Sequence, residues 1–206
     1  MLVLVRHGES TGNAAGQLVG RLDAPLTERG RSQAAFVGKV LTPPARIVTS
    51  PLARARATAE AIAVATGRPL DAVVVDERWV EADYGVLDGC ELAAVPAEAW
   101  RRLRADPHYR PEGGESLAEV GARVRASLEE LFAEDGDGAR GEADVVVVSH
   151  VSPVKAAVCW ALGLPDDGAW RMHLATASVT RIGWSGGPVL HAFNETPWRT
   201  VPPGGR

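Results

Sequence analysis

Three short runs, Leu2-Val3-Leu4-Val5, Arg46-Ile47-Val48-Thr49 and Val145-Val146-Val147-Val148, are apolar, mostly β-branched and free of polar alternation. Strands of that kind are covered on both faces, which is the condition of the interior of a parallel sheet. Helical spacing lies between and after them. Ala34, Val37 and Leu41 mark one apolar face; Leu52, Ala55, Ala59 and Ile62 mark another, behind Ser50 as the expected N-cap and Pro51 at the first helical position. Ser116-Leu117-Ala118-Glu119 reads as a capping box opening a third face of Leu117, Val120, Val124, Leu128 and Leu131. This alternation predicts an α/β fold, a three-layer α/β/α sandwich around a mostly parallel central sheet. Residues 177–182 and 189–193, joined through Gly186-Gly187, are expected as a late antiparallel pair on the sheet edge. Residues 134–144 read as a loop and 200–206 as a frayed tail.

A chain of 206 residues with 46% hydrophobic content suits one core, so a single domain over 1–206 is expected. A net charge of -4 disfavours general nucleic-acid binding, which rests on an excess of Lys and Arg. Cys90 and Cys159 form neither a disulfide framework nor a metal spacing and are expected as free thiols. No run approaches the length of a membrane span and none resembles a secretory h-region, so a cytoplasmic location without membrane association is expected.

The chemistry is carried by the residues just beyond each strand run. The first run ends at Arg6-His7, the second at Ser50 with Arg54 shortly after, and the third at Ser149-His150. If the strands are parallel, these groups share one sheet edge, where open α/β sheets bind ligands. Two guanidinium groups, two imidazoles and a helix N-terminus, with no carboxylate cluster for a divalent metal, make a phosphate pocket. Asn13 offers a further neutral donor.

The segment Leu4-Val5-Arg6-His7-Gly8-Glu9-Ser10 with Asn13 resembles the signature of the histidine phosphatase superfamily, which includes phosphoglycerate mutases and many acid phosphatases. Further blocks match in order: Asp23-Ala24-Pro25-Leu26-Thr27 with Gly30, Ser50-Pro51-Leu52-Ala53-Arg54-Ala55 with Thr58-Ala59, Glu81-Ala82-Asp83-Tyr84-Gly85 with Gly89, Gly113-Gly114-Glu115-Ser116, and Val148-Ser149-His150. The resemblance implies His7 as nucleophile and Glu81 as proton donor. It implies Arg6, Arg54 and His150 as phosphoryl ligands, with Arg54 preferred to Arg56 because it stands immediately before Ala55. Val151 occupies a position where the family often has glycine, and its backbone joins Asn13 among the expected substrate contacts.

Chemically, Arg6 and Arg54 favour an unprotonated His7, the form that attacks phosphorus. The expected reaction is hydrolysis of a small phosphate ester through a phosphohistidine, with Glu81 as general acid and then base, no metal, no cofactor, and inorganic phosphate as product. Two alternatives stand beside it: a phosphoglycerate mutase-type phosphotransferase and an inactive phosphate-binding module. The short segment between Gly89 and Gly113 and the stretch from Ser149 to Lys155 favour the phosphatase. Phosphoglycerate, α-ribazole phosphate and sugar phosphates all stay open as substrates, and a homodimer is an allowed assembly. Glu9 is a weaker rival acid. The Trp100 to Arg110 segment reads equally as a substrate flap or a solvated helix face, and His173, His191 and the tryptophans at 79, 160, 170, 184 and 198 as packing or surface residues.

Overall fold

Each of the three apolar runs is a strand. The computed structural model describes residues 1–133 and 144–199, so the expected tail and all but Asp144 of the expected 134–144 loop lie outside the described residues. In chain order the main elements are β1 (Leu2–Arg6), α1 (Thr11–Ala14), α2 (Glu28–Val40), β2 (Arg46–Thr49), α3 (Ala53–Ala65), β3 (Val73–Val75) and α4 (Ala97–Ala105). Next come α5 (Leu117–Ala133), β4 (Val145–Ser149), α6 (Val151–Leu162), β5 (Val179–Trp184) and β6 (Pro188–Glu195). The six strands form one sheet in the order β3-β2-β4-β1-β5-β6. The first three pairings are parallel, whereas β5 runs antiparallel to β1 and carries β6 on its outer side, as expected for the late pair.

Pleating sends alternate residues of each strand to opposite faces. Leu2, Leu4, Val48, Val145 and Val147 pack under α5 and α6 with Val120, Val124, Leu128 and Val154. Val3, Val5, Ile47, Val146 and Val148 pack under α2 and α3 with Val37, Ala55, Ala59 and Ile62. This explains why the runs lack polar alternation: both faces are covered, and burying each such side chain contributes about 1.5–3 kcal/mol.

Ser116 and Glu119 form the expected reciprocal cap, with Ser116 N–H on Glu119 Oε2 at 2.9 Å and Glu119 N–H on Ser116 Oγ at 3.3 Å. The start of α3 corrects the sequence reading. It begins at Ala53, not behind Ser50, and its N-cap residue Leu52 has no capping side chain. A distant aspartate supplies the cap instead, the Ala53 N–H donating to Asp23 Oδ1 at 2.8 Å. Ser50 is engaged elsewhere, in the site. The strand β3 has no counterpart in the sequence reading; Val74 and Val75 are exposed, and it joins the sheet through β2.

Candidate active site

Parallel register brings the strand ends together. Arg6 lies beside Ser149 across β1 and β4, and Thr49 beside Val148 across β2 and β4. Just beyond, His7 N–H donates to Ser149 O at 2.9 Å and Ser50 N–H to Val148 O at 3.0 Å. His7, Ser50 and His150 therefore stand along one edge of the sheet. The His7 and His150 rings are 5.0 Å apart between centroids, tilted by 59°.

His7 is 3% exposed. Its Nδ1 is 2.6 Å from Gly8 O, and its Nε2 receives the Arg54 Nε–H at 3.2 Å. A carbonyl only accepts and a guanidinium only donates, so the network assigns the neutral tautomer with the proton on Nδ1 and a lone pair on Nε2. Burial first, then the charges of Arg6 and Arg54, hold its pKa well below 6.5. The loop after it is clamped: Gly8 N–H donates to Thr58 Oγ1 at 3.1 Å, and a Cβ on Gly8 would meet Gly30 O at 2.3 Å.

Arg54 is 1% exposed, yet it makes no ion pair among the described residues. Backbone carbonyls hold it instead: Nη1 donates to Leu22 O at 2.8 Å and Nη2 to Gly20 O at 2.6 Å. The loop bearing those carbonyls is tied down by Asp88, which accepts from Gly20 N–H at 2.7 Å and Leu22 N–H at 2.8 Å. Arg6 donates through Nη1 to Leu174 O at 2.6 Å, while its Nε is buried with no acceptor. Burial lowers the pKa of both guanidinium groups, that of Arg6 to about 10, and both remain cations at neutral pH.

His150 is fully buried. Its Nε2 is 2.7 Å from Ser50 Oγ, which also accepts the Leu52 N–H at 3.3 Å. Its other ring nitrogen, Nδ1, is buried with no hydrogen-bond partner. Burial, then His7 and Arg54, push the His150 pKa well below 6.5.

Glu81 is 4% exposed and lies across the start of α6. Its carboxylate accepts the N–H groups of Ala82 at 2.8 Å, Val151 at 3.0 Å and Ser152 at 3.1 Å. The Val151 N–H, expected from sequence as a substrate contact, thus points to Glu81. Trp79 anchors the arm carrying Glu81: it is fully buried, its Nε1 donates to Ser127 Oγ at 2.9 Å, and its carbonyl accepts from Ser149 Oγ at 2.7 Å. Asn13 accepts the Ser10 N–H through Oδ1 at 3.2 Å, capping α1. Its amide Nδ2, a donor, is what it has left for a ligand.

Arg6, His7, Arg54, Glu81 and His150 therefore lie together, with Asn13 in the adjoining short helix α1. Glu9 does not join them; it accepts from Thr27 Oγ1 at 2.9 Å and Arg29 Nη1 at 3.2 Å. Sequence reasoning missed the Gly20 and Leu22 carbonyls, the Asp88 brace and the Ser50 contact to His150. Backbone carbonyls carry no residue signal; Asp88 stood beside the matched Gly89. Among the described residues no group of three or more His, Cys, Asp or Glu side chains is arranged to hold a metal ion, and no helix is long and apolar enough to cross a membrane. Cys90 and Cys159 are free thiols.

The sequence profile of the histidine phosphatase superfamily (branch 1) matches residues 2–196. The probable phosphoglycerate mutase GpmB of Erwinia tasmaniensis is 34% identical over 193 residues, covering 91% of this chain and 86% of its own length. Phosphoserine phosphatase 1 of Hydrogenobacter thermophilus is 36% identical over 187 residues, covering 88% and 85%. Among solved structures, mycobacterial glucosyl-3-phosphoglycerate phosphatase in complex with inorganic phosphate superposes with a TM-score of 0.81 at 31% identity, over 95% of this chain and 97% of that one. The fold, the ordered motifs and these relatives agree: the chain belongs to the histidine phosphatase superfamily and is an enzyme of the phosphoric monoester hydrolase kind.

Proposed function

We propose that the protein hydrolyses small phosphate monoesters through a phosphohistidine on His7, with Glu81 as general acid and base and without a metal. The observation that carries this reading is the neutral His7 with its lone pair on Nε2, set beside two buried nitrogens without hydrogen-bond partners, the Arg6 Nε–H donor and His150 Nδ1. A phosphoryl group supplies an acceptor oxygen for Arg6 Nε–H and negative charge for Arg6 and Arg54.

In the first step His7 Nε2 forms a bond to phosphorus as the ester P–O bond breaks, and Glu81 gives its proton to the departing alcohol. In the second, water attacks the phosphohistidine, Glu81 takes the water proton, and His7 leaves with its lone pair restored. Developing charge on the equatorial oxygens is met by Arg6, Arg54, His150 and Asn13. Because the imidazole is neutral before attack and Nδ1–H is held by Gly8 O, no proton has to leave His7 first.

The test is a phosphomonoester panel run with EDTA, with acid quenching to trap the phosphoenzyme. Wild type is expected to turn over in EDTA and to carry an acid-labile, base-stable phosphoryl group, and His7→Ala to lose both. An active His7→Ala enzyme, or loss of wild-type turnover in EDTA, rejects the mechanism. The mutase-named relative supports a second reading in which a substrate hydroxyl replaces water. Interconversion of 2- and 3-phosphoglycerate faster than phosphate release would select it. The stretch between Gly89 and Gly113 contains α4 as its single α-helix, nine residues long, which favours access of water.

A further inference from the structure

The Arg6 side chain is held at one point. Among the described residues its guanidinium has a single hydrogen-bond acceptor, the Leu174 carbonyl, reached by Nη1 at 2.6 Å. The peptide that carries this carbonyl also carries the Ala175 N–H, and that N–H donates to Asn194 Oδ1 at 2.8 Å. One peptide plane therefore lies between the Asn194 side chain and the Arg6 side chain. A hydrogen bond at its N–H end polarises the carbonyl at the other end and makes it a stronger acceptor for a guanidinium. Leu174 and Ala175 are both buried, so an Ala175 N–H deprived of Asn194 is left poorly solvated.

The backbone puts Asn194 there by an irregularity. Between the pairs Val179–Glu195 and Arg181–Ala192 the register shifts, so that Thr180 of β5 stands opposite both Phe193 and Asn194 of β6. That is a β-bulge, which gives up one ladder position and re-aims a side chain. Asn194 has φ 57° there, a left-handed conformation that asparagine tolerates, and its N–H donates to the Thr180 side chain, Oγ1, at 3.2 Å. Among the described residues one other non-glycine residue has a positive φ, Ala177 at 51°, and it lies in the loop that carries Leu174. The Ala177 N–H donates to His7 O at 3.0 Å, and Ser178 O accepts the Arg6 N–H at 3.1 Å. Trp198 ties the same loop down through Nε1 on Thr176 O at 3.2 Å. Both left-handed residues thus serve the segment that grips Arg6 and His7, and backbone strain kept at such a place points to function.

We propose that Asn194 is a positioning residue for phosphoryl transfer: through the Leu174–Ala175 peptide it sets the Arg6 guanidinium for an incoming phosphoryl oxygen, and the bulge in β6 is what aims it. Asn194 acts through Arg6 alone. The inference rests on the phosphatase reading above, in which Arg6 binds the phosphoryl group, and deepens it.

Two substitutions separate the side chain from the backbone. Asn194→Gly keeps the left-handed conformation without the acceptor, whereas Asn194→Asp keeps both. In kcat/KM for p-nitrophenyl phosphate, Asn194→Gly should lose about 3- to 10-fold, the range of one buried hydrogen bond, and Asn194→Asp should stay within about 3-fold of wild type. Repeating Asn194→Gly in an Arg6→Ala background gives a readout that general loosening would not move. With no guanidinium to position, the further loss should be under about 2-fold. An unchanged kcat/KM in Asn194→Gly, an equal loss in Asn194→Asp, or the same proportional loss with Arg6 absent overturns the inference. Should Asn194→Gly fail to fold, Thr180→Val, which removes the acceptor of the Asn194 N–H, takes its place in the cycle. It should lose about 2- to 5-fold with Arg6 present and under about 2-fold without it; equal losses in both backgrounds, or none in either, overturn the inference. Wild type without turnover above His7→Ala defeats the phosphatase reading, and the same cycle read as orthovanadate affinity then decides this inference by the same ratios.

Discussion

At His7 the site is decided by where one proton sits. Gly8 O keeps it on Nδ1 and Arg54 faces the lone pair on Nε2. Since burial disfavours imidazolium at both His7 and His150, the unfolded chain takes up protons below pH 6.5 that the folded chain does not. Stability should therefore be fully present above that pH and decline as pH falls through it, by at most about 1.4 kcal/mol per pH unit for each histidine. Denaturant midpoints between about pH 7 and pH 5.5 should show a shallower decline in His150→Asn than in wild type; identical slopes would mean that His150 titrates normally in the fold. Glu81→Gln keeps an acceptor for the α6 N–H groups but has no proton to give. Its kcat on an alkyl phosphate should fall by about 10² to 10⁴-fold. With p-nitrophenyl phosphate, whose leaving group needs no proton, a burst of nitrophenolate should survive while steady turnover falls; loss of the burst as well would count against the acid role. The positions of Arg6, His7, Arg54 and His150 were legible in sequence because each ends or directly follows a strand or lies in the first turn of a helix. The carbonyls of Gly20 and Leu22 were not, since any residue type has one.

At the scale of elements, the start of α3 shows how tertiary structure displaces a local signal. Ser50-Pro51 looks like a helix opening, but Ser50 serves His150 and the helix waits until Asp23 caps Ala53. Asp23 lies next to Leu22, whose carbonyl holds Arg54. Asp23→Ala should cost about 1 kcal/mol as a lost cap and also weaken phosphate binding by loosening Arg54, whereas Asp23→Asn should restore most of the stability. A thermal melt with phosphate inhibition measured alongside separates these; a drop in stability with unchanged inhibition would confine Asp23 to capping. A second element contact is backbone on backbone: a Cβ on Gly30 would lie 2.0 Å from Glu9 O. The loop after β1 rests directly on the first turn of α2, and no side chain is tolerated between them. The matched Gly30 was visible in sequence; the partner that requires it was not. The strand β3 escaped notice because three valines, two of them exposed, carry too short a pattern to separate strand from loop.

Over the whole molecule, the three apolar runs were enough to predict a parallel sheet with helices on both faces, because only that arrangement covers such strands twice. Where β5 and β6 attach was legible in outline: β5 runs antiparallel beside β1, and β6 antiparallel beside β5 completes the sheet. Ligand binding should be felt globally, since His7, Arg54 and His150 come from separate elements. Orthovanadate at about 100 times its dissociation constant should stabilise the fold by about 2.7 kcal/mol, read as a rise in melting temperature absent in an Arg54→Ala variant. An equal rise in that variant would place the anion elsewhere.

The pairing of β1 with β4 also has a history in time. Leu2 pairs with Val145, so closing that pair closes a long loop, whose entropy cost grows slowly with length but comes before the contacts that repay it. During synthesis the nucleophile's strand emerges first and waits, unpaired on both sides, until β4 and then β5 follow it. A phosphate-binding signal in a nascent-chain experiment would then mark the late moment at which the sheet closes.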